Sequence, residues 1–415
     1  MPETAVPGIL TEVQLGAVRR RTIGVLSAGQ ILGGVAFGAT ISLGAVLATD
    51  IAGDEAVAGF ATASVTLGAA ALAIPLARLA QRHGRRMSLA TGMLIALVGV
   101  AVVISAAALR SFPALLAGFA LIGAGQAANL QSRFAASDLA TDASRGRDLS
   151  LVVWATTIGA VLGPNLVGPG ETIGASLGMP PLTGAYVFTI VCQVLGVALY
   201  LIALRPDPLL LAQKIAADHA ASGTARIARA DRPLAARYAI FAVAGAHGVM
   251  VAVMAMTPVH LLHHGATLTI VGLTISLHIA GMYALAPVFG FLADRLGRVP
   301  VILIGQVLLA AALLTAGLGQ DSTAAVTIGL VLLGLGWSAS TVAGSALLTE
   351  MSSEDRRTTR QGRSDLAMNL VGAIGAILAG VVLGAIGYGG LALIALAIVA
   401  AVGALAPFAA KTSAH

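Results

Sequence analysis

The sequence predicts an all-α membrane protein with twelve transmembrane helices, arranged as two pseudo-symmetric six-helix halves. The first observation is composition: 58% of the 415 residues are hydrophobic and 10% are charged, whereas soluble domains carry about 25% charged residues. The second is that the charges fall in short clusters between apolar runs of about twenty residues, the length of a helix that crosses a bilayer. The third is an arginine bias in alternate loops. Continuous runs of this length favour helices over barrel strands.

Twelve apolar runs supply the predicted spans, and the longest polar stretch divides them six from six. This stretch, 205–237, predicts a cytoplasmic linker between an N-terminal six-helix bundle, 1–204, and a C-terminal six-helix bundle, 238–415. The predicted spans are 22–48, 56–79, 87–109, 112–137, 149–170, 181–204, 238–262, 268–291, 299–319, 323–349, 365–386 and 389–409.

Basic residues collect in the loops on one side of these spans. With the N-terminus inside, the outer loops hold Arg110 alone, and basic loops remain in the cytoplasm. We therefore expect a multi-pass protein of the inner membrane, surrounded by the lipid bilayer, with both termini cytoplasmic. The net charge of +6 follows membrane side rather than a basic stripe, so no nucleic-acid partner is expected. The inner basic residues are Arg19 to Arg21, Arg82, Arg85, Arg86, Arg145, Arg147, those of 205–237, Arg295, Arg298, Arg356, Arg357, Arg360, Arg363 and Lys411.

The two halves repeat each other in sequence. The stretch 290–298, between spans 8 and 9, matches 77–86, between spans 2 and 3. A second pair, 145–149 and 361–366, follows spans 4 and 10, and each of those spans carries a Gly-x-Gly pair. These pairs are Gly123 with Gly125, and Gly334 with Gly336. Two parallel repeats of six helices are typical of a large class of secondary transporters.

The order Gly290-x-x-x-Asp294-Arg295-x-Gly297-Arg298 resembles the loop signature of the major facilitator superfamily. The resemblance implies a major facilitator fold that works by alternating access. It also implies a cytoplasmic gate, in which a carboxylate can cap a helix start and arginines can pair across the halves. The first-half copy has Gln81 in place of the signature aspartate, which weakens the expected contact there. The expected gate residues are Asp294, Arg295, Arg298, Arg82, Arg85 and Arg86.

Span 5 carries a run of small residues from Gly159 to Gly168 around Pro164. This run resembles the antiporter motif of drug–proton exporters in the same superfamily, so efflux of small molecules is one alternative. Carboxylates are nearly absent from the middle of the spans, since Asp138, Glu350 and Asp365 lie near predicted cytoplasmic ends. This absence weakens the drug–proton alternative.

Histidine and methionine are concentrated in spans 7 and 8. Five of the eight histidines and four of the ten methionines fall between His247 and Met282. On a helix, His247, Met250 and Met254 form one stripe, and His278 lies one turn from Met282. Thioether sulfur and imidazole nitrogen suit Cu(I) rather than hard cations. Methionine also fills gaps in helix packing, so the stripe by itself has a structural alternative.

Met250-x-x-x-Met254 followed by His278-x-x-x-Met282 resembles the signature of CcoA-like copper importers. The resemblance implies copper uptake across the inner membrane for assembly of the copper sites of cytochrome oxidase. It assigns those four residues as metal ligands, and His247 is added from its helical face. Copper is then the substrate, so no cofactor is expected, and periplasmic or cytoplasmic copper carriers are possible partners. The outer histidines His260, His263 and His264 are candidates for handing copper inward.

Two alternatives stay open from the sequence: the efflux carrier, and uptake of an organic nutrient such as a vitamin. An enzyme is not expected, because no nucleophile–base–acid set and no phosphate-binding loop is found. The single cysteine, Cys192, excludes an intrachain disulfide.

Overall fold

The computed structural model describes residues 12–53, 58–141, 144–221, 231–266 and 268–413, which are almost wholly helical. The predicted bundle boundary at residue 1 and part of the predicted linker, 222–230, lie outside the described residues. The helices of the first half are α1 (Glu12–Ala52), α2 (Ala58–Ala108), α3 (Phe112–Ser137), α4 (Arg145–Asn165), α5 (Val167–Ser176), α6 (Tyr186–Ala203) and α7 (Pro208–Ala221). Those that follow are α8 (Pro233–His263), α9 (Leu268–Tyr283), α10 (Ala286–Leu296), α11 (Arg298–Leu318), α12 (Thr323–Glu350) and α13 (Glu354–Ser413).

Within the described ranges, all regular structure is helical and eight helices are long and apolar enough to cross a membrane, so the predicted all-α fold class is confirmed. The twelve predicted spans map onto the helices as follows. The long helices α2 and α13 each bend back at a glycine, Gly84 with φ 87° and Gly387 with φ 76°. A positive φ of this kind favours glycine, and each long helix therefore contains two spans. The helices α4 and α5 together form span 5, and α9 and α10 together form span 8. Span 4 was predicted at 112–137 and is α3, Phe112–Ser137.

The predicted linker contains a helix of its own, α7, and the first helix of the second half begins at Pro233. The loop glycines of the two halves also match. Gly84 has φ 87° and ψ 169°, and Gly297 has φ 97° and ψ 161°. We refer to the end of the bundle that carries Gly84 and Gly297 as the arginine end. It is the end that the sequence predicts to be cytoplasmic.

The Gly-x-Gly pairs of spans 4 and 10 serve as matching helix contacts. Gly123 lies against the backbone of Gly68 in the first half, and Gly334 lies against the backbone of Gly281 in the second. A Cβ atom at Gly334 would lie 2.5 Å from the carbonyl oxygen of His278. Small residues at such crossings let helix backbones approach closely in a membrane. The crossing fixes the position of α9 against α12, and α9 carries two of the predicted metal ligands.

Candidate transport site and gate

His278 lies fully buried on α9 with one ring nitrogen unengaged. Its Nδ1 atom lies 2.7 Å from the carbonyl oxygen of Leu330 on α12. A carbonyl only accepts, so Nδ1 carries the proton and Nε2 keeps its lone pair. Within the described residues, Nε2 is buried and has no hydrogen-bond partner. A histidine whose other ring N–H is held by a carbonyl is the usual arrangement of a metal-ligating imidazole.

The three methionines of the predicted ligand set lie on α8 and on α9, the helix that carries His278. Met250 on α8 and Met282 on α9 are 2% and 7% exposed and belong to one buried cluster with Leu330. Met254 is partly buried and packs against that cluster. Met256 packs against it as well. The structure therefore places the predicted methionines in or against one apolar cluster, and Leu330 of that cluster holds the His278 ring through its carbonyl oxygen.

The internal repeat relates Met254 and His278 to two residues that line one cavity in the first half. The first half has a small cavity lined by α1, α2 and α3. Close glycine contacts align the halves: Gly34 with Gly159 in the first, and Gly248 with Gly375 in the second. Together with the Gly-x-Gly pairs and the loop glycines, this alignment gives each cavity residue a counterpart in the second half. Thr40, Val65 and Phe119 of the cavity correspond to Met254, His278 and Leu330.

His247 differs from His278 in how its ring is engaged. The indole N–H of Trp337 donates to His247 Nδ1 at 3.0 Å. Because an indole nitrogen can only donate, the neutral imidazole carries its proton on Nε2. Trp337 also packs edge-on against Tyr283, with ring centroids 5.6 Å apart. His247, which the sequence added to the ligand set, therefore has no free lone pair in this arrangement.

Of the outer histidines, His260 is committed to packing. Its Nε2 atom lies 2.7 Å from the carbonyl oxygen of Gln320, and its ring stacks on Tyr388 at 4.3 Å. His264 lies beside it, 3.5 Å from the exposed carboxylate of Asp321. His263 is exposed. Only the last two remain accessible to an ion at this end of the bundle.

At the arginine end, Asp294 joins the two halves. Its carboxylate accepts the backbone N–H groups of Gly146 and Arg147, at 2.9 Å each, where α4 begins. It also pairs with Arg298 at 2.5 Å, and Arg298 reaches Glu350 at 3.2 Å. A carboxylate at a helix N-terminus satisfies free N–H groups and complements the helix dipole.

Gln81 occupies the matching position in the first half and contacts the start of α13. Its Nε2 donates to the carbonyl oxygen of Asp355 at 3.0 Å, and its Oε1 lies 3.4 Å from the hydroxyl of Thr359. The first turn of α13 carries Glu354 and Asp355. A carboxylate at position 81 would be repelled there, whereas an amide can donate to the carbonyl. The contact between the halves is therefore kept with neutral chemistry.

Arg85 also reaches across the halves. It pairs with Asp138 at 2.8 Å, both side chains fully buried, and donates to Gln361 of α13 at 2.6 Å. Burial raises the pKa of the Asp138 carboxyl, and the Arg85 guanidinium beside it opposes that effect. The hydrogen bond from Arg85 to Gln361 joins α2 to α13 at the arginine end.

The other predicted gate arginines contribute less to this closure. Arg82 is exposed. Arg86 donates its backbone N–H to the Asp207 carboxylate at 2.7 Å, which attaches the start of α7 to α2 just after the bend at Gly84. Arg295 is exposed and lies over the Phe291 ring of its own helix at 4.8 Å.

A buried ion pair that the sequence analysis missed lies further inside. Arg133 on α3 donates to Asp365 on α13 at 2.5 Å, and the two side chains are 3% and 0% exposed. Arg133 also lies 3.9 Å from the sulfur of Met368. The available signal was an arginine inside an otherwise apolar predicted span, since ionisable residues in spans are rare and usually functional.

A polytopic helical bundle of two matching halves, joined at one end, is the architecture of a membrane transporter rather than an enzyme. Comparison with known families agrees: the Major Facilitator Superfamily model matches residues 25–269 and 248–414. The chain belongs to the Major Facilitator Superfamily.

Relatives and solved structures extend this result. The chain is 39% identical to the MFS-type transporter YddS of Bacillus subtilis over 88% of this chain and 85% of the relative. It is 30% identical to the riboflavin transporter RfnT of Brucella anthropi over 84% and 85%. The human organic anion transporter MFSD10 shares the fold, with a TM-score of 0.75 and 18% identity over 94% of this chain and 99% of that one.

Proposed function

We propose that this carrier imports copper, as Cu(I), across the inner membrane and supports assembly of the copper sites of cytochrome oxidase. One observation carries the proposal: the buried Nε2 of His278 is unengaged, and the ring is held by Leu330 of the apolar cluster that contains Met250 and Met282. A lone imidazole nitrogen among thioethers is a soft, neutral donor set. Neutral ligands bind a monovalent ion less tightly than charged ligands would, so the ion is able to dissociate.

The proposed ligands are Met250, Met254, His278 and Met282. His247 is left out, because its Nδ1 lone pair accepts from Trp337. The repeat supports the pairing of Met254 with His278, since their first-half counterparts line one cavity. Copper carriers on either side of the membrane would supply and collect the ion.

The proposed cycle is alternating access with the arginine end in the cytoplasm, as the distribution of basic residues predicts. In the described conformation this end is closed by Asp294 at the start of α4 and by Arg85 at Gln361. Arg298 supports Asp294 from the same half. Separation of these contacts would open the site to the cytoplasm.

A second candidate is uptake of an organic nutrient, favoured by the 30% identity to the riboflavin transporter RfnT. The efflux alternative has less support, because the glycine run of span 5 has a packing role. Gly159 lies against Gly34 of α1, the close contact that such glycines allow in any helix pair.

Uptake of radioactive copper by cells tests the proposal. The variants are Met254→Ala and His278→Ala, and the matched control is Met256→Ala, the same substitution on the same helix. We expect the two ligand variants to take up copper at least about tenfold more slowly, since even indirect support of a metal ligand is worth about 10–100-fold in affinity. The control should retain uptake in proportion to the amount of protein.

Equal copper uptake by all three variants at normal protein amounts would rule out copper as the cargo at this site. Riboflavin uptake by the same strains separates the second candidate. A protein that carries riboflavin and leaves copper accumulation unchanged would establish the nutrient carrier instead.

A further inference from the structure

We propose that Asp365 is the site at which this transporter binds a coupling proton, and that protonation of Asp365 opens the arginine end. The argument starts from position. Arg133 belongs to α3 of the first half and Asp365 to α13 of the second, so their ion pair exists only while the halves are closed against each other. This pair lies on the site side of Arg85 and its contact with Gln361.

The pair is only partly satisfied. Arg133 Nη2 donates to Asp365 Oδ1, whereas Asp365 Oδ2 and Arg133 Nε have no hydrogen-bond partner within the described residues. Asn369, one turn further along α13, donates to the Asp365 carbonyl and has its own Oδ1 unpartnered. Desolvation makes buried pairs expensive, so their net stability is small even when the geometry is good. The Asp365 carboxylate can therefore be neutralised without dismantling a larger network.

The two members of the pair respond differently to a proton. A carboxylate accepts one, but an arginine guanidinium stays charged in a protein. Protonation of Asp365 therefore leaves Arg133 as a buried, unpaired cation, which is strongly unfavourable. Opening the arginine end lets water reach Arg133 and removes that penalty. The closed state thus requires an ionised Asp365, and the open state tolerates a neutral one.

The surroundings of Asp365 fit this role. Arg133 from α3 and Arg85 from α2 are the charged groups that act on it electrostatically. His247 from α8 and Tyr283 from α9 lie within electrostatic reach of Arg133. Asp138 neutralises Arg85 inside the first half, so Arg133 remains the cation whose charge depends on Asp365 for balance.

The test is a distance measurement between spin labels in the absence of any cargo, so it is independent of the copper proposal. The native Cys192 is replaced by serine, and labels are placed at Arg82 and Arg295, which are exposed on opposite halves of the arginine end. The protein is held in lipid nanodiscs with a chelator. Distances are recorded by double electron–electron resonance from about pH 8 to about pH 5, where a buried carboxyl titrates.

We expect the separated population to grow as pH falls, with the open-to-closed ratio rising by up to about tenfold per pH unit for one coupled proton. Asp365→Asn, which mimics the protonated carboxyl, should be open at every pH. The double variant Asp365→Asn with Arg133→Gln should close again at every pH, because no buried charge remains. As a matched control, Asp148→Asn removes the Asp148–Arg19 pair, which lies within the first half, and should keep the wild-type titration.

A wild-type distance distribution that does not change with pH would overturn the proposal, whatever the variants do. A titration that persists in Asp365→Asn but disappears in Asp138→Asn would assign the proton to the other buried carboxyl. A response to sodium at fixed pH, with none to protons, would identify a different coupling ion.

Discussion

Removing the Asp294 carboxylate tests how the closed state is held. In Asp294→Ala the halves lose two charge-assisted hydrogen bonds, each 2.9 Å long, to Gly146 and Arg147. Hydrogen bonds to a charged group contribute about 1.5–3 kcal/mol each, and water replaces part of this when the halves separate. A net loss of about 2–4 kcal/mol lowers the closed-to-open ratio by roughly 30-fold to 1,000-fold. Asp294→Asn keeps one acceptor oxygen, so we expect an intermediate effect.

The assay is the rate at which a thiol-reactive maleimide labels a buried cysteine at this interface. Ser150 is fully buried beside Gly290, so Ser150→Cys in a Cys192→Ser background reports opening. The labelling rate should rise with the open fraction in Asp294→Ala. The folded state should survive, because Arg298 still pairs with Glu350 at 3.2 Å.

The control for this experiment lies at the opposite end of the bundle. Asp50 pairs with Arg110 at 3.1 Å, with both side chains exposed, so Asp50→Ala should leave the labelling rate of the reporter cysteine unchanged. If the Asp294→Ala protein were labelled no faster than the parent, Asp294 would not hold the halves together.

Three further changes have expected outcomes. Gly334→Ala would place a Cβ atom 2.5 Å from a carbonyl oxygen of α9; overpacking should lower the free energy of unfolding by about 1–3 kcal/mol and slow transport, as thermal unfolding and copper uptake would show. Trp337→Phe leaves the buried Nδ1 of His247 without its donor and should cost about 1–3 kcal/mol of stability, with copper uptake per folded molecule retained if His247 is not a ligand. Arg360 lowers the pKa of Asp231, so the ionised Asp231 carboxylate stabilises the fold above the ordinary aspartate pKa of about 3.9. The difference in the free energy of unfolding between wild type and Asp231→Asn should be present at neutral pH and disappear as pH falls through the lowered pKa. A difference that grew in acid would show that the Arg360 pair is not its cause.

The gate shows how much of the contact between the halves the repeated loop motif could predict. The motif placed Asp294 at a helix start, and the structure has it on the N–H groups that begin α4. The glutamine in the first copy suggested a weaker contact, yet Gln81 donates to α13 where a carboxylate would meet Glu354 and Asp355. The motif could not supply this result, because the reason lies in the charge of the partner helix.

The sequence by itself determined that the protein lies in a membrane, which segments are helices and that the two halves repeat. It could do so because hydrophobic run length, glycine positions and basic loops are local signals. It also singled out the histidines and methionines of α8 and α9, the residue types of the proposed copper site. Only the tertiary structure decided which ring nitrogens are free, since the partners of His278 and His247 are Leu330 and Trp337 on another helix. It alone revealed the pair of Arg133 with Asp365, whose members are 232 residues apart. Tautomers and buried ion pairs depend on which groups meet across helices, and no local pattern encodes that meeting.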